Sequence, residues 1–86
     1  MVRDGDVVAI FQSIHRVMKA EKILKGLKLP ILLIPAPRQL HADCGLAIRY
    51  AQVDRQSVEA ALTAEGLAPE ELYLKQGGAY ERLDHG

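Results

Sequence analysis

The run Ile31–Ile34 is apolar throughout and is closed at once by Pro35. Proline has no amide hydrogen to offer a neighbouring strand, so a buried strand that ends in one belongs at the edge of its sheet. A second continuous apolar run, Val7–Phe11, carries no such mark and reads as a strand buried on both faces. Between the two, Ile14, Val17, Met18, Ala20, Leu24 and Leu27 recur at three- and four-residue steps, the pattern of an amphipathic helix. Ser13 is its expected N-cap, Gly26 its expected left-handed stop after Lys25, and Pro30 forbids continuation.

Further along, Gly45–Gln52 alternates, with Leu46, Ile48 and Tyr50 on one face and Ala47, Arg49 and Ala51 on the other, so it reads as a third strand. Asp54 is placed to cap a second helix carrying Val58, Ala61, Leu62 and Ala64, with Gly66 just past its end. After Pro69 comes a short β-like element, Leu72–Lys75, and Gly77-Gly78 then opens a tail, 77–86, read as flexible or as an arm used between subunits. The order β-α-β-β-α-β predicts an α+β, ferredoxin-like domain over residues 1–76, a four-stranded antiparallel sheet with two helices on one face. Its strand order, 4-1-3-2, places the second strand at an edge, as Pro35 independently requires.

An 86-residue chain supplies one domain. A domain of this size buries only roughly 60–65% of its unfolded surface, so association with another chain would help it. Lys and Arg number 11, as do Asp and Glu, so no strong global field points to nucleic acid or to a membrane surface. Aromatic residues make up only 5% of the chain, which argues against a base-stacking platform. No apolar segment is long enough to span a membrane, and the acidic start, Met-Val-Arg-Asp-Gly-Asp, is unlike a signal peptide. The single cysteine cannot form an internal disulfide, and the expectation is a cytoplasmic protein whose thiol stays reduced.

The loop after Pro35 gathers Pro37, Arg38, His41, Cys44 and Gly45. In the expected topology it lies at the end of the sheet where the first helix begins, which brings Ser13, His15, Arg38, His41 and Cys44 to one rim. Cys44 reads either as a small buried hydrophobe or as a reactive thiol; cationic neighbours and a helix N-terminus favour the thiolate, which is the nucleophile. Arg38 reads either as a solvated loop residue or as a fixed cation for a sulfur anion, held by a backbone that Pro35 and Pro37 stiffen. His15 is a first-turn surface residue or a proton shuttle, and Ser13 is first of all a cap. Gly45 would let backbone approach the site closely. His41 and Cys44, three apart, could contribute to a zinc or copper site only with further ligands. Arg49 is expected in a salt bridge or interface, and Glu21 beside Lys25.

Taken in order, these pieces resemble a bacterial and archaeal family of small selenium/sulfur carrier-like proteins. The residues that carry the resemblance are Phe11, Ser13 and His15; Ala20, Glu21, Leu24 and Lys25; Ile34, Pro35, Pro37 and Arg38; and Cys44, Gly45 and Arg49. They span roughly Val8 to Leu74. The chain departs from the family at Leu40–Asp43, where relatives commonly have serines before the cysteine. The resemblance implies a carrier, not an enzyme, that holds the chalcogen on Cys44 as a persulfide or selenopersulfide. Arg38 and His15 would assist, Ser13, Pro37, Gly45 and His41 would line the site, and no cofactor or bound metal would be needed. Its partners would be sulfur or selenium donor and acceptor proteins. Alternative readings are a small-molecule-sensing regulatory module, by fold analogy, and a metal-binding chaperone using His41 and Cys44. An open sheet face with apolar residues on it further predicts a homodimer, through that face or by edge pairing.

Overall fold

A computed structural model describes residues 2–83 of the chain. The elements in order are β1 (Asp6–Ile10), α1 (Ile14–Gly26), β2 (Ile31–Pro35), β3 (Leu46–Ala51), a 3₁₀ turn (Gln52–Asp54), α2 (Arg55–Ala64), β4 (Glu71–Gln76) and β5 (Ala79–Arg82). All strand pairs are antiparallel, in the order β2-β3-β1-β4-β5. Four strands were expected and five are present, so the ferredoxin-like expectation is not matched exactly. The first four keep the expected neighbours, with β2 and its Pro35 at one edge.

The fifth strand corrects the reading of the tail. Gly77 and Gly78 both have positive φ, 60° and 80°. Two such residues between paired strands form the type I′ turn whose twist suits a hairpin. Ala79–Arg82 therefore folds back along β4, and the ladder runs on as Leu83 N donates to Leu72 O at 2.8 Å. The remainder of the expected tail, 84–86, lies outside the described residues.

Both helices cover the same face of the sheet. Val17, Ala20 and Leu24 from α1 and Val58 and Leu62 from α2 pack on Val7, Ala9, Phe11, Ile48, Tyr50 and Leu72, all nearly or fully buried. Ser13 Oγ accepts from Arg16 N at 3.2 Å, the expected cap. At the other end Gly26 is still helical, and the left-handed residue is Lys28, with φ 60°. Lys28 N donates to Lys25 O at 2.9 Å and Leu29 N to Leu24 O at 3.0 Å, a Schellman closure that satisfies two helix-end carbonyls. Gly66 closes α2 in the same way, with φ 68°, as its position predicted. Asp54 does not cap α2 through its side chain, because the 3₁₀ turn feeds the helix directly through an Arg55 N to Gln52 O bond.

The opposite face was expected to be exposed and is not. Val8, Ile10, Ile34 and Ala47 are at most 2% exposed, because Leu40 folds over them from the β2–β3 loop. Tyr73, Tyr80 and Ala36 pack around the same group. The premise for a homodimer through this face therefore falls away, and Leu32, 42% exposed, is the large apolar residue it leaves in the open. Asp6, the one buried charged residue among those described, accepts from Arg49 Nη1 at 3.0 Å and from Arg3 N at 2.9 Å. Arg49 thus makes the salt bridge expected of it, although its Nε is buried without a hydrogen-bond partner among the described residues. Glu21 pairs with Lys25 at 3.0 Å, also as expected. No helix among the described residues is long and apolar enough to cross a membrane.

Candidate functional site

Two tight turns shape the loop between β2 and β3. Leu40 N donates to Pro37 O at 3.0 Å, so Arg38 and Gln39 form the tip of the first. Gly45 N donates to Ala42 O at 2.9 Å, and Asp43 and Cys44 form the tip of the second. Ala36 N to Gly45 O, 2.9 Å, ties the base of the loop together. Gly45 has φ 72°, and a Cβ built on it would meet nothing within 4 Å. Its role is therefore to supply a left-handed backbone to the turn, not to make room for a close approach, which corrects the reason given for it above.

Cys44 is half-buried. Its thiol donates to Leu46 O at 3.2 Å, with Phe11 O at 3.8 Å, and its sulfur packs against the helix-side core. Phe11 stands between β1 and the Ser13 cap, so the sulfur does lie at the end of the sheet where α1 starts. The same end gathers the chain after α2: Arg16 Nη2 donates to Gly66 O at 2.8 Å and Glu70 N to Ile10 O at 2.8 Å.

The partners foreseen for the sulfur are arranged differently from one another. Ser13 is occupied as the helix cap. Pro37 is half-buried, and its carbonyl closes the first turn. Arg38 is exposed at that turn's tip and His15 on the first turn of α1, and neither is in a side-chain hydrogen bond or ion pair among the described residues. The polar groups that touch the sulfur among the described residues are thus backbone carbonyls. His41 serves the other side of the sheet, lining a cleft of about 440 Å³ with Gln39, Leu40, Glu71, Tyr73 and Tyr80. It does not converge with Cys44, and no group of three or more His, Cys, Asp or Glu residues suited to a metal ion occurs among the described residues.

Leu40 is the residue that reading the sequence missed. It is the one bulky apolar side chain between Pro37 and Cys44, and it is 7% exposed, holding the loop down on the sheet. A lone leucine in an otherwise polar loop was the available signal. Glu71 was missed as well: its Oε1 accepts from the Tyr73 hydroxyl at 3.0 Å and its Oε2 from Arg82 Nη1 at 3.2 Å. Burial, then the hydrogen bond to Glu71, raises the Tyr73 hydroxyl above its ordinary pKa, and burial raises that of Tyr80. Beneath the helices, burial first and then the Glu59 charge push Tyr50 far above its ordinary range. Its hydroxyl donates to Glu59 Oε2 at 2.9 Å, an oxygen that also accepts from Arg55 Nε at 2.8 Å.

No curated protein and no solved structure matches the chain. The profile of a family described as "Putative Se/S carrier protein-like" matches residues 6–74, from the first residue of β1 into β4 and through the whole loop that bears Cys44. With most of its length so covered, the chain belongs to that selenium/sulfur carrier-like family.

Proposed function

We propose that the protein is a chalcogen carrier, not an enzyme with turnover of its own, and that Cys44 is the atom that loads. The observation that carries this reading is the placement of the only cysteine, half-buried on a turn tied at both ends, within a chain of this family. Loading is an exchange with no net oxidation. The Cys44 sulfur attacks the terminal sulfur of a persulfide on a donor protein. The donor's S–S bond breaks, the donor leaves as a thiolate, and Cys44 holds a new S–S bond ending in S–H. The proton on the Cys44 thiol, held toward Leu46 O, leaves in that step. Selenium would follow the same course to a selenopersulfide.

In this reading Arg38 supplies a cation to the terminal sulfur once that S–H gives up its proton, with no carboxylate partner to compete for it among the described residues. His15 moves the proton. Ser13 caps the helix that follows Phe11, Pro37 closes the first turn of the loop that carries Cys44, and Gly45 sets the second. His41 contributes only through the loop it shares with Cys44. Donor and acceptor proteins are the partners, in a compartment reducing enough to keep the thiol free, the cytoplasm being the natural one. A homodimer would rest on edge pairing along β2 or β5.

Incubation with a cysteine desulfurase and free cysteine, followed by intact mass measurement, tests the assignment. One added sulfur atom is expected on the native chain and none on Cys44→Ser. Arg38→Ala is expected to slow loading about tenfold, the loss of about 1.4 kcal/mol of transition-state stabilisation. No addition to the native chain, or addition that survives Cys44→Ser, overturns the proposal.

A further inference from the structure

The cleft on the sheet face opposite the helices lies between the Gln39–His41 stretch of the loop and the β4–β5 hairpin. Its volume, about 440 Å³, falls in the range of small-molecule sites. Two of the chain's three tyrosines, Tyr73 and Tyr80, form part of its wall, with Leu40 beside them. The charges there are already matched. Both oxygens of Glu71 are engaged, by Tyr73 and by Arg82. A cation also sits against Tyr80, since Lys75 Nζ is 5.6 Å from the ring centroid.

We propose that this cleft binds a small, neutral, planar heteroaromatic molecule of the nucleobase or nucleoside kind, held between the tyrosine-lined wall and the polar groups of Gln39 and His41. An anion would meet the Glu71 carboxylate, and no lysine or arginine lines the cleft. A cation would find only a carboxylate whose two oxygens are already engaged, by Tyr73 and by Arg82. A purely apolar guest would strand Gln39, His41 and the Tyr80 hydroxyl, none of which has a side-chain hydrogen-bond partner among the described residues. A flat ring with donors and acceptors on its edge satisfies the amide and the imidazole and offers its face to tyrosine, the contact by which aromatic side chains hold bases. The site is independent of the sulfur chemistry, because Cys44 packs on the opposite side of the sheet.

The test is a titration of the ¹⁵N-labelled full chain with adenosine and with uridine, followed by amide chemical shifts, with ribose and inorganic phosphate as separate probes. Saturable shifts are expected with at least one nucleoside at residues 39–41, 71–73 and 78–80, unchanged in Cys44→Ser. Tyr80→Ala is expected to weaken binding about tenfold or more, the share of one stacked ring. His41→Ala, at an exposed position, provides a second variant whose fold is not in question, and is expected to weaken binding severalfold. The proposal is overturned if neither nucleoside shifts these amides at millimolar concentration. It is equally overturned if ribose or phosphate alone reproduces the shifts, or if His41→Ala binds as the native chain does.

Discussion

Tyr50 is the largest fully buried side chain of the molecule, and its hydroxyl is tied to a carboxylate. Burial and the Glu59 charge both disfavour the tyrosinate, so the folded chain holds a proton that the unfolded chain releases near the ordinary tyrosine pKa of about 10. The folded-state pKa is the raised one. The stabilisation is therefore complete below pH about 10 and is lost as pH climbs beyond it. Tyr73 and Tyr80 are shifted the same way and add to the trend. An alkaline titration read by tyrosinate absorbance is expected to show Tyr50 ionising only together with loss of the far-ultraviolet circular dichroism. Ionisation of all three tyrosines near pH 10 in a still-folded chain would contradict this. At the same scale, Cys44 stood out in the sequence as the only thiol, beside a glycine at the start of a strand, and Ser13 as a cap. The identity of the sulfur's neighbours did not. Its polar neighbours are the carbonyls of Leu46, two residues on, and of Phe11, 33 residues back, and backbone groups leave no side-chain signature.

Helix ends and hairpin turns were legible where the residue itself carries the conformational requirement. Gly66 closes α2 because a left-handed position is least costly for glycine. At α1 the same rule pointed to Gly26, two residues early, because the position of the last buried contact, Leu24, sets where the closure falls. Lys28 holds the left-handed position at a cost of about 1 kcal/mol that glycine would avoid. Lys28→Gly is accordingly expected to raise stability by about 0.5 kcal/mol once the greater freedom of the unfolded glycine is subtracted. The readout is an increased urea midpoint with an unchanged slope, and a lowered midpoint would show that the lysine side chain contributes more than its backbone strain removes. The pair Gly77-Gly78 was a hairpin signal in plain view. Ala79–Arg82 itself has only Tyr80 as a strong strand former, so pairing with β4 supplies what propensity does not.

For the whole molecule, the consequence of that hairpin and of Leu40 is a sheet whose second face is covered by its own chain. An isolated strand pattern shows that a face is apolar, not what lies over it, so a cover supplied by a loop residue such as Leu40 has no signature in it. Deleting residues 77–86 removes β5, exposes the outer edge of β4 and takes away Leu83 and Tyr80 from their contacts. A loss of about 2 kcal/mol or more is expected from two partly buried side chains of that size, measured as a lowered urea midpoint, together with a new tendency to self-associate through the bared edge. An unchanged midpoint would mean that β5 only decorates the sheet. The account as a whole rests on one sulfur that can be filled and emptied. The most direct measurement is a single-turnover transfer: protein loaded once by a desulfurase, freed of donor, and mixed with a low-molecular-weight thiol while intact mass is followed. The account predicts a mass one sulfur atom above the native chain that returns to the native value as the acceptor gains the sulfur. A chain that never takes up the atom, or a Cys44→Ser chain that takes it up and gives it back equally well, would contradict it.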